Sequence, residues 1–269
     1  MKIVILSDLH SNFYALKKAL KIIDQKGYDM MICLGDILSY GTDIDKVIQI
    51  IGNRTKKKNT LLIKGNHDEI YDDIFAGKET KYIDSLPDWL KESVYFTAEK
   101  LNKSDWNDLK FIENYSQDGV FYSHANPFLN RDWSYLNNSF KLEEASKILR
   151  KTNHQVGVFG HLHRVLNSTF SEKNILNINS LQSNLLSNKN INILNTGSIG
   201  QPRDKNNYRP SFLWLDTNIS NNYDLEKHQY KYQIEFFDYQ INEHLRSIQN
   251  STMSFKTKEK LLSYFIKKN

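Results

Sequence analysis

The 269-residue chain has a single cysteine, so it closes no disulfide within itself, and Cys33, inside the apolar run 30–34, reads as a small buried hydrophobe. No apolar stretch approaches the length that crosses a bilayer. The first such stretch, residues 3–6, passes straight into Ser7 and Asp8 without the long apolar segment and cleavage site of a secretory leader. The expectation is a cytoplasmic protein in a reducing compartment, with no membrane contact. There is no internal repeat and no Walker or dinucleotide fingerprint, and Gly197-Ser198-Ile199-Gly200 does not fit a nucleophile elbow. Neither sign of charge dominates: 36 Lys and Arg against 31 Asp and Glu leave a net charge of +5, which a solvated face explains without a dedicated nucleic-acid site.

What is present is a chain long enough, at 39% hydrophobic residues, for one large domain spanning 1–269. The short apolar runs 3–6, 30–34 and 61–63 read as buried parallel strands, each feeding a helix: 13–23 after an N-cap at Ser11 or Asn12, then 44–51, then a helical segment. That is the pattern of successive right-handed βαβ units, with the strand ends on one edge of a sheet. Residues 69–115 read as a cap-like helical insertion, with helices at 89–101 and 104–112. Trp89, Tyr95, Phe96 and Trp106 read there as its apolar covering, with lining of a substrate cleft as the alternative. Further strands are expected at 120–122 and 156–159, around a helix at 141–150. Beyond residue 165, short strands at 165–170, 191–194, 212–215 and 230–237 suggest a second sheet, with 171–190 a loop or irregular hairpin. Helical spacing at 239–248 and 256–268 suggests docking on the core.

Chemistry gathers at the strand ends. Asp8 and His10 follow the first strand, where alternation would point both the same way. Asp36 follows the second, Asn66 and His67 the third, His124 the next, and His161 and His163 the last. Five of the eight histidines fall in this way, whereas His154, His228 and His244 are expected at the surface. Imidazoles, carboxylates and one carboxamide suit Mn, Fe, Co, Ni or Zn rather than a thiolate zinc site. One ion rarely takes seven protein ligands, whereas two ions bridged by a carboxylate and a hydroxide account for all of them. Two carboxylates against four positive charges would leave an electropositive site suited to an anionic phosphate.

Asp8-x-His10, Gly35-Asp36, Gly65-Asn66-His67-Asp68, Ser123-His124 and Gly160-His161-x-His163 resemble, in order, the five blocks of the calcineurin-like metallophosphoesterases. Together with the stretch Asn195 to Arg203, they resemble in particular the YfcE-like small phosphodiesterase branch. The resemblance covers about residues 1–203 and implies an α/β fold, a four-layer αββα sandwich with a helical insertion after the third strand. It implies that Asp8, His10, Asp36 and His163 hold one divalent metal, and Asp36, Asn66, His124 and His161 a second, with manganese favoured and Asp36 as the bridge, each oxygen addressing one cation. His67 would donate to the leaving oxygen, and Asp68 would orient that ring or cap the helix that follows. Attack on phosphorus by metal-bridged hydroxide is the implied reaction, on a small phosphate ester.

One stretch departs from the protein phosphatase branch, where Asp-Arg-Gly completes the second block. Here Ser39-Tyr40-Gly41 stands, without the Arg that clamps a terminal phosphate. That favours a small or nucleotide-like diester, with Arg203 or Arg209 as the remaining source of positive charge for substrate. The alternatives are a phosphomonoesterase or protein phosphatase, a dinucleoside polyphosphate hydrolase, and a non-catalytic protein scaffold on the same fold.

Overall fold

The computed structural model describes residues 1–57, 59–78, 81–171, 175–178, 184–187, 189–204, 207–219 and 229–265. Its first half alternates strand and helix: β1 (Lys2–Leu6), α1 (Phe13–Lys26), β2 (Met30–Cys33), α2 (Ile44–Thr55) and β3 (Thr60–Ile63). Helices α3 (Asn66–Phe75), α4 (Lys81–Ser85), α5 (Asp88–Lys100) and α6 (Lys103–Asp108) follow β3. Then come β4 (Phe111–Ile112), β5 (Asn114–Gln117), β6 (Val120–Ser123), α7 (Ser139–Lys151), β7 (Val156–Phe159), β8 (Val165–Phe170), β9 (Ile175–Ile178), β10 (Asn184–Ser187) and β11 (Ile191–Thr196). The last elements are β12 (Ser211–Ile219), β13 (Gln229–Phe236), α8 (Ile241–Gln249) and α9 (Phe255–Leu262).

Two sheets form, ordered β10-β13-β12-β1-β2-β3-β4 and β5-β6-β7-β11-β8-β9. Strand β1 explains why they face each other. Its run is apolar throughout because both faces are covered. Val4 and Leu6 pack toward α1 and α2 with Leu16, Ala19, Ile23 and Val47, while Ile3 and Ile5 meet Val120, Val156 and Val158 of the other sheet. Beyond that second sheet, Leu142, Ala145 and Leu149 of α7 pack on Phe159 and Ile193. Three apolar layers thus separate four structural ones, the αββα sandwich.

The late strands do not form a sheet of their own. β12 pairs antiparallel with β1, and β13 with β12, so both extend the first sheet, whereas β8 and β11 join β6 and β7 in the second. Antiparallel partners two hundred residues apart leave no local mark on either strand. The helix expected at 104–112 stops at Asp108, and Phe111 and Ile112 instead pair with β3 as an edge strand. Strand β5, polar and exposed on alternate residues, escapes the apolar-run criterion altogether. Within 171–190, expected to be a loop or irregular hairpin, the described residues include two short strands, β9 paired with β8 and β10 with β13. The tail of the helix expected at 256–268 lies partly outside the described residues. Trp106 is buried and Phe96 nearly so, as the covering reading requires, although Tyr95 is half exposed. Among the described residues no helix is long and apolar enough to cross a membrane.

Candidate metal centre

Asp8 and His10 reach the same place by a different route from strand alternation. β1 ends at Leu6, and both residues sit in a tight turn at φ 54° and 46°. That turn is locked to the loop after β2 by backbone bonds from Asp8 N to Gly35 O, His10 N to Asp36 O and Ser11 N to Ile37 O, each 3.0 Å. Asp36, His161 and His163 also lie in the left-handed region, which costs a non-glycine residue of order 1 kcal/mol or more. Five strained residues at one spot are held there by their surroundings. The approach is close enough that a Cβ on Gly160 would overlap Ser7 Oγ, and one on Gly200 would overlap Leu9 O.

The loops deliver two groups of donor atoms that share one residue. Asp8, His10, Asp36 and His163 form the first, and Asp36, His124 and His161 the second, with one donor atom of each residue within 4.8 Å of the others in its group. His10 Nε2 lies 3.0 Å from His163 Nε2, and His163 Nε2 lies 3.2 Å from Asp8 Oδ1. On the other side, His124 Nε2 lies 3.1 Å from Asn66 Oδ1, 3.2 Å from His161 Nδ1 and 3.4 Å from Asp36 Oδ2. All seven residues expected at a metal pair therefore converge, and all are buried.

The outer atoms are already engaged. Nδ1 of His10, His124 and His163 donates to the carbonyls of Leu38, Leu34 and Gln201 at 2.7–2.9 Å, and His161 Nε2 donates to Trp133 O at 3.0 Å. Each ring thus turns its other nitrogen inward, the one a metal ligand would use. Asp8 Oδ2 accepts from His161 N, and Asp36 Oδ1 accepts from His67 N at 2.8 Å. Their other oxygens, Asp8 Oδ1 and Asp36 Oδ2, are buried with no hydrogen-bond partner. Buried carboxylate oxygens facing imidazole nitrogens fit divalent cations. Asp36 Oδ2 faces both groups, 3.8 Å from His10 Nε2 and 3.4 Å from His124 Nε2.

Electrostatics agree. Burial works to raise the Asp8 pKa, but the His163 imidazole beside it holds it well below the usual carboxylate range; His124 and His67 do the same for Asp36. Burial pushes His161 down to about 3 and His10 well below its ordinary value, so both rings stay neutral. Against the same burial, the Asp36 carboxylate raises His124 to about 9.

Around this centre, His67 turns its Nδ1 to Ser39 Oγ at 2.9 Å. Asp68 touches backbone instead: its carboxylate accepts from Asp36 N, Ile37 N and Gly65 N at 2.7–3.0 Å, tying α3 to the β2 loop. Burial and the nearby Asp36 push it up to about 7. Arg203 lies beside the centre, bound to Gln201 Oε1 through Nε and Nη2 at 3.0 and 2.6 Å, with its guanidinium 5.5 Å from the Tyr40 ring and 5.3 Å from the Tyr264 ring. No described carboxylate pairs with it. Arg209, by contrast, is exposed and pairs with Asp238. Two residues escaped sequence reasoning. Tyr135 stacks on His161 with ring centroids 4.2 Å apart, and the Tyr82 hydroxyl accepts from Asn66 Nδ2 at 3.0 Å; both remain about 40% exposed. An exposed aromatic in the loop after Ser123-His124 was the available sign for Tyr135. His244, expected at the surface, is buried against Phe265, while His154 is half-buried and His228 lies outside the described residues.

A family model described as calcineurin-like phosphoesterase matches residues 1–165. An uncharacterized protein of Methanocaldococcus jannaschii is 31% identical over 208 residues, 75% of this chain and 77% of that protein. A metallophosphoesterase from Sphaerobacter thermophilus superposes with a TM-score of 0.70 at 20% identity, covering 98% of this chain and 100% of the other. A hypothetical protein from Pyrococcus horikoshii OT3 gives 0.72 at 19% identity, covering 97% of each chain.

Proposed function

This chain belongs to the calcineurin-like phosphoesterase family, and on that premise we propose that it is a dimetal phosphodiesterase acting on a small or nucleotide-like phosphodiester. The observation that carries the reading is Asp36 Oδ2, a buried oxygen without a hydrogen-bond partner that lies 3.8 Å from His10 Nε2 in one group of donors and 3.4 Å from His124 Nε2 in the other. Asp8, His10, Asp36 and His163 would hold one ion, and Asp36, Asn66, His124 and His161 the other, manganese being the favoured metal. When bound, such a pair supplies Lewis acidity toward phosphate and lowers the pKa of water toward neutrality.

The protein's own groups do the rest. Arg203, a guanidinium without a carboxylate partner among the described residues, receives the substrate's anionic oxygens beside the centre. His67 holds a proton at Nε2 for the leaving oxygen, its Nδ1 being engaged by Ser39. The exposed faces of Tyr135 and Tyr82 accept the organic group. The diester preference rests on Tyr40, a buried phenol where an arginine would clamp a terminal phosphate. We read residues 1–269 as one such domain, cytoplasmic, with 69–115 as a cap-like insertion.

Turnover of bis-p-nitrophenyl phosphate and p-nitrophenyl phosphate with Mn decides the matter. Faster hydrolysis of the diester is expected. Hydrolysis of the monoester alone would move the assignment to a phosphatase, and no hydrolysis of either with two metals bound would favour a scaffold. The lone Arg203 favours one second reading, a pyrophosphate-linked substrate, which a dinucleoside polyphosphate assay reads directly.

A further inference from the structure

Two rings and an amide hold Arg203. Tyr40 and Tyr264 meet at 65°, with centroids 6.4 Å apart, and the guanidinium sits in the corner between them, 5.5 Å from one ring and 5.3 Å from the other. Along one edge Nε and Nη2 donate to Gln201 Oε1. All three neighbours are uncharged, so they fix the side chain without cancelling its charge. The corner stands beside the metal centre, because the Tyr40 ring also lies edge-on to His10 at 4.5 Å.

The two rings come from distant parts of the sequence, yet one helix places both. In α5, Ser93 Oγ accepts from Tyr40 N at 3.1 Å. The neighbouring Glu92 carboxylate accepts from Ser254 Oγ at 2.6 Å and from Thr257 Oγ1, tying down the start of α9. Trp89, one turn earlier, lies 6.1 Å from the Tyr40 ring and 6.1 Å from the Tyr264 ring. Around Tyr264, the side chains of Leu261, Leu262 and Phe265 pack into the core, whereas Tyr264 itself is half-buried against Tyr40, Trp89 and Arg203.

We propose that Tyr264 is a positioning residue for Arg203, so that the C-terminal segment, outside the residues 1–165 matched by the family model, completes the site for the substrate's anionic oxygens. This rests on the role given to Arg203 above. A mobile arginine loses rotamer freedom when it grips an anion, whereas one already fixed does not. Tyr264 thereby contributes to affinity without touching substrate. The anionic oxygens are there before the reaction as well as during it, so the contribution falls on KM rather than kcat.

The test begins on metal-free protein, with the water exchange of the Arg203 Nε–H measured by NMR; its signal is the one lost in Arg203→Lys. Tyr264→Leu is expected to speed that exchange ~10-fold, the loss of one cation–π contact, and Tyr264→Phe to keep the wild-type rate. Unchanged exchange in Tyr264→Leu would overturn the proposal. Kinetics with manganese and bis-p-nitrophenyl phosphate supply the second readout. Tyr264→Leu should raise KM ~10-fold, with rescue in Tyr264→Phe. In the Arg203→Ala background the same substitution should add less than about twofold, because its effect passes through the guanidinium. Additive losses would overturn the proposal. So would an equal rise in KM in Lys260→Ala, whose exposed ammonium lies 5.4 Å from the same ring. An unchanged KM in Arg203→Ala would remove the substrate role of Arg203 itself, while the exchange rate still decides whether Tyr264 holds it.

Discussion

Replacing Asp36 by Asn exchanges the oxygen shared by both donor groups for a neutral amide. Asp36→Asn is therefore expected to weaken both ions together, by ~100-fold or more, since even partners of metal ligands matter 10- to 100-fold. His161→Ala removes a donor from one group only, so it should hold close to one ion per chain where wild type is expected to hold two. Elemental analysis after desalting measures both. The candidate ligand residues were readable from sequence because each sits within four residues of the end of an apolar run, and that relation is local. What Asp36 does with each oxygen was not, because the occupant of Oδ1 is the amide of His67, 31 positions away. Asp68 teaches the same lesson: orienting a ring and tying down a loop look alike until the three amides that reach it are seen.

At the scale of one element, α1 hangs on Asn12. Its Oδ1 caps Ala15 N at 3.1 Å, and its Nδ2 donates to Gly200 O at 3.0 Å and to the Tyr239 hydroxyl at 3.1 Å. Asn12→Ala leaves a helix end uncapped and a buried carbonyl unmet, a cost of ~2 kcal/mol. Urea denaturation should show it as a lower midpoint at unchanged m. A loss below a few tenths of a kcal/mol would mean that the backbone around Gly200 finds another donor. The cap was legible because Asn before an amphipathic run is a local signal; its grip on Gly200 was not, joining residues 188 apart. Likewise the βαβ half could be read in order, since each strand pairs with its successor, whereas β12 and β13 were assigned to the wrong sheet because nothing within them names β1 as partner.

For the molecule as a whole, His244 sets an acid limit. Burial pushes its ring down to about 3, against an ordinary value of 6.5, and Nδ1 has no partner. The unfolded chain therefore binds a proton that the native state refuses, and stability present above pH 6.5 falls as pH drops toward 3. At pH 5 the loss from this residue is about 2 kcal/mol, at 1.36 kcal/mol per pH unit. His244→Leu should show a smaller fall in Tm from pH 7 to pH 5 than wild type, the difference removing contributions from the metal centre. Equal falls would mean that the α8–α9 layer opens enough to wet the ring.

The register of β1 bears on how the chain is made. Lys2 lies opposite Asp216, so one side of this innermost strand stays unpaired until over two hundred further residues have been synthesised. At ~5–20 residues per second on the ribosome, that is a wait of roughly 10–40 s. Over that interval the segment Lys2–Leu6 is the nascent chain's most adhesive edge, and a chaperone that shields extended apolar stretches has its first client there.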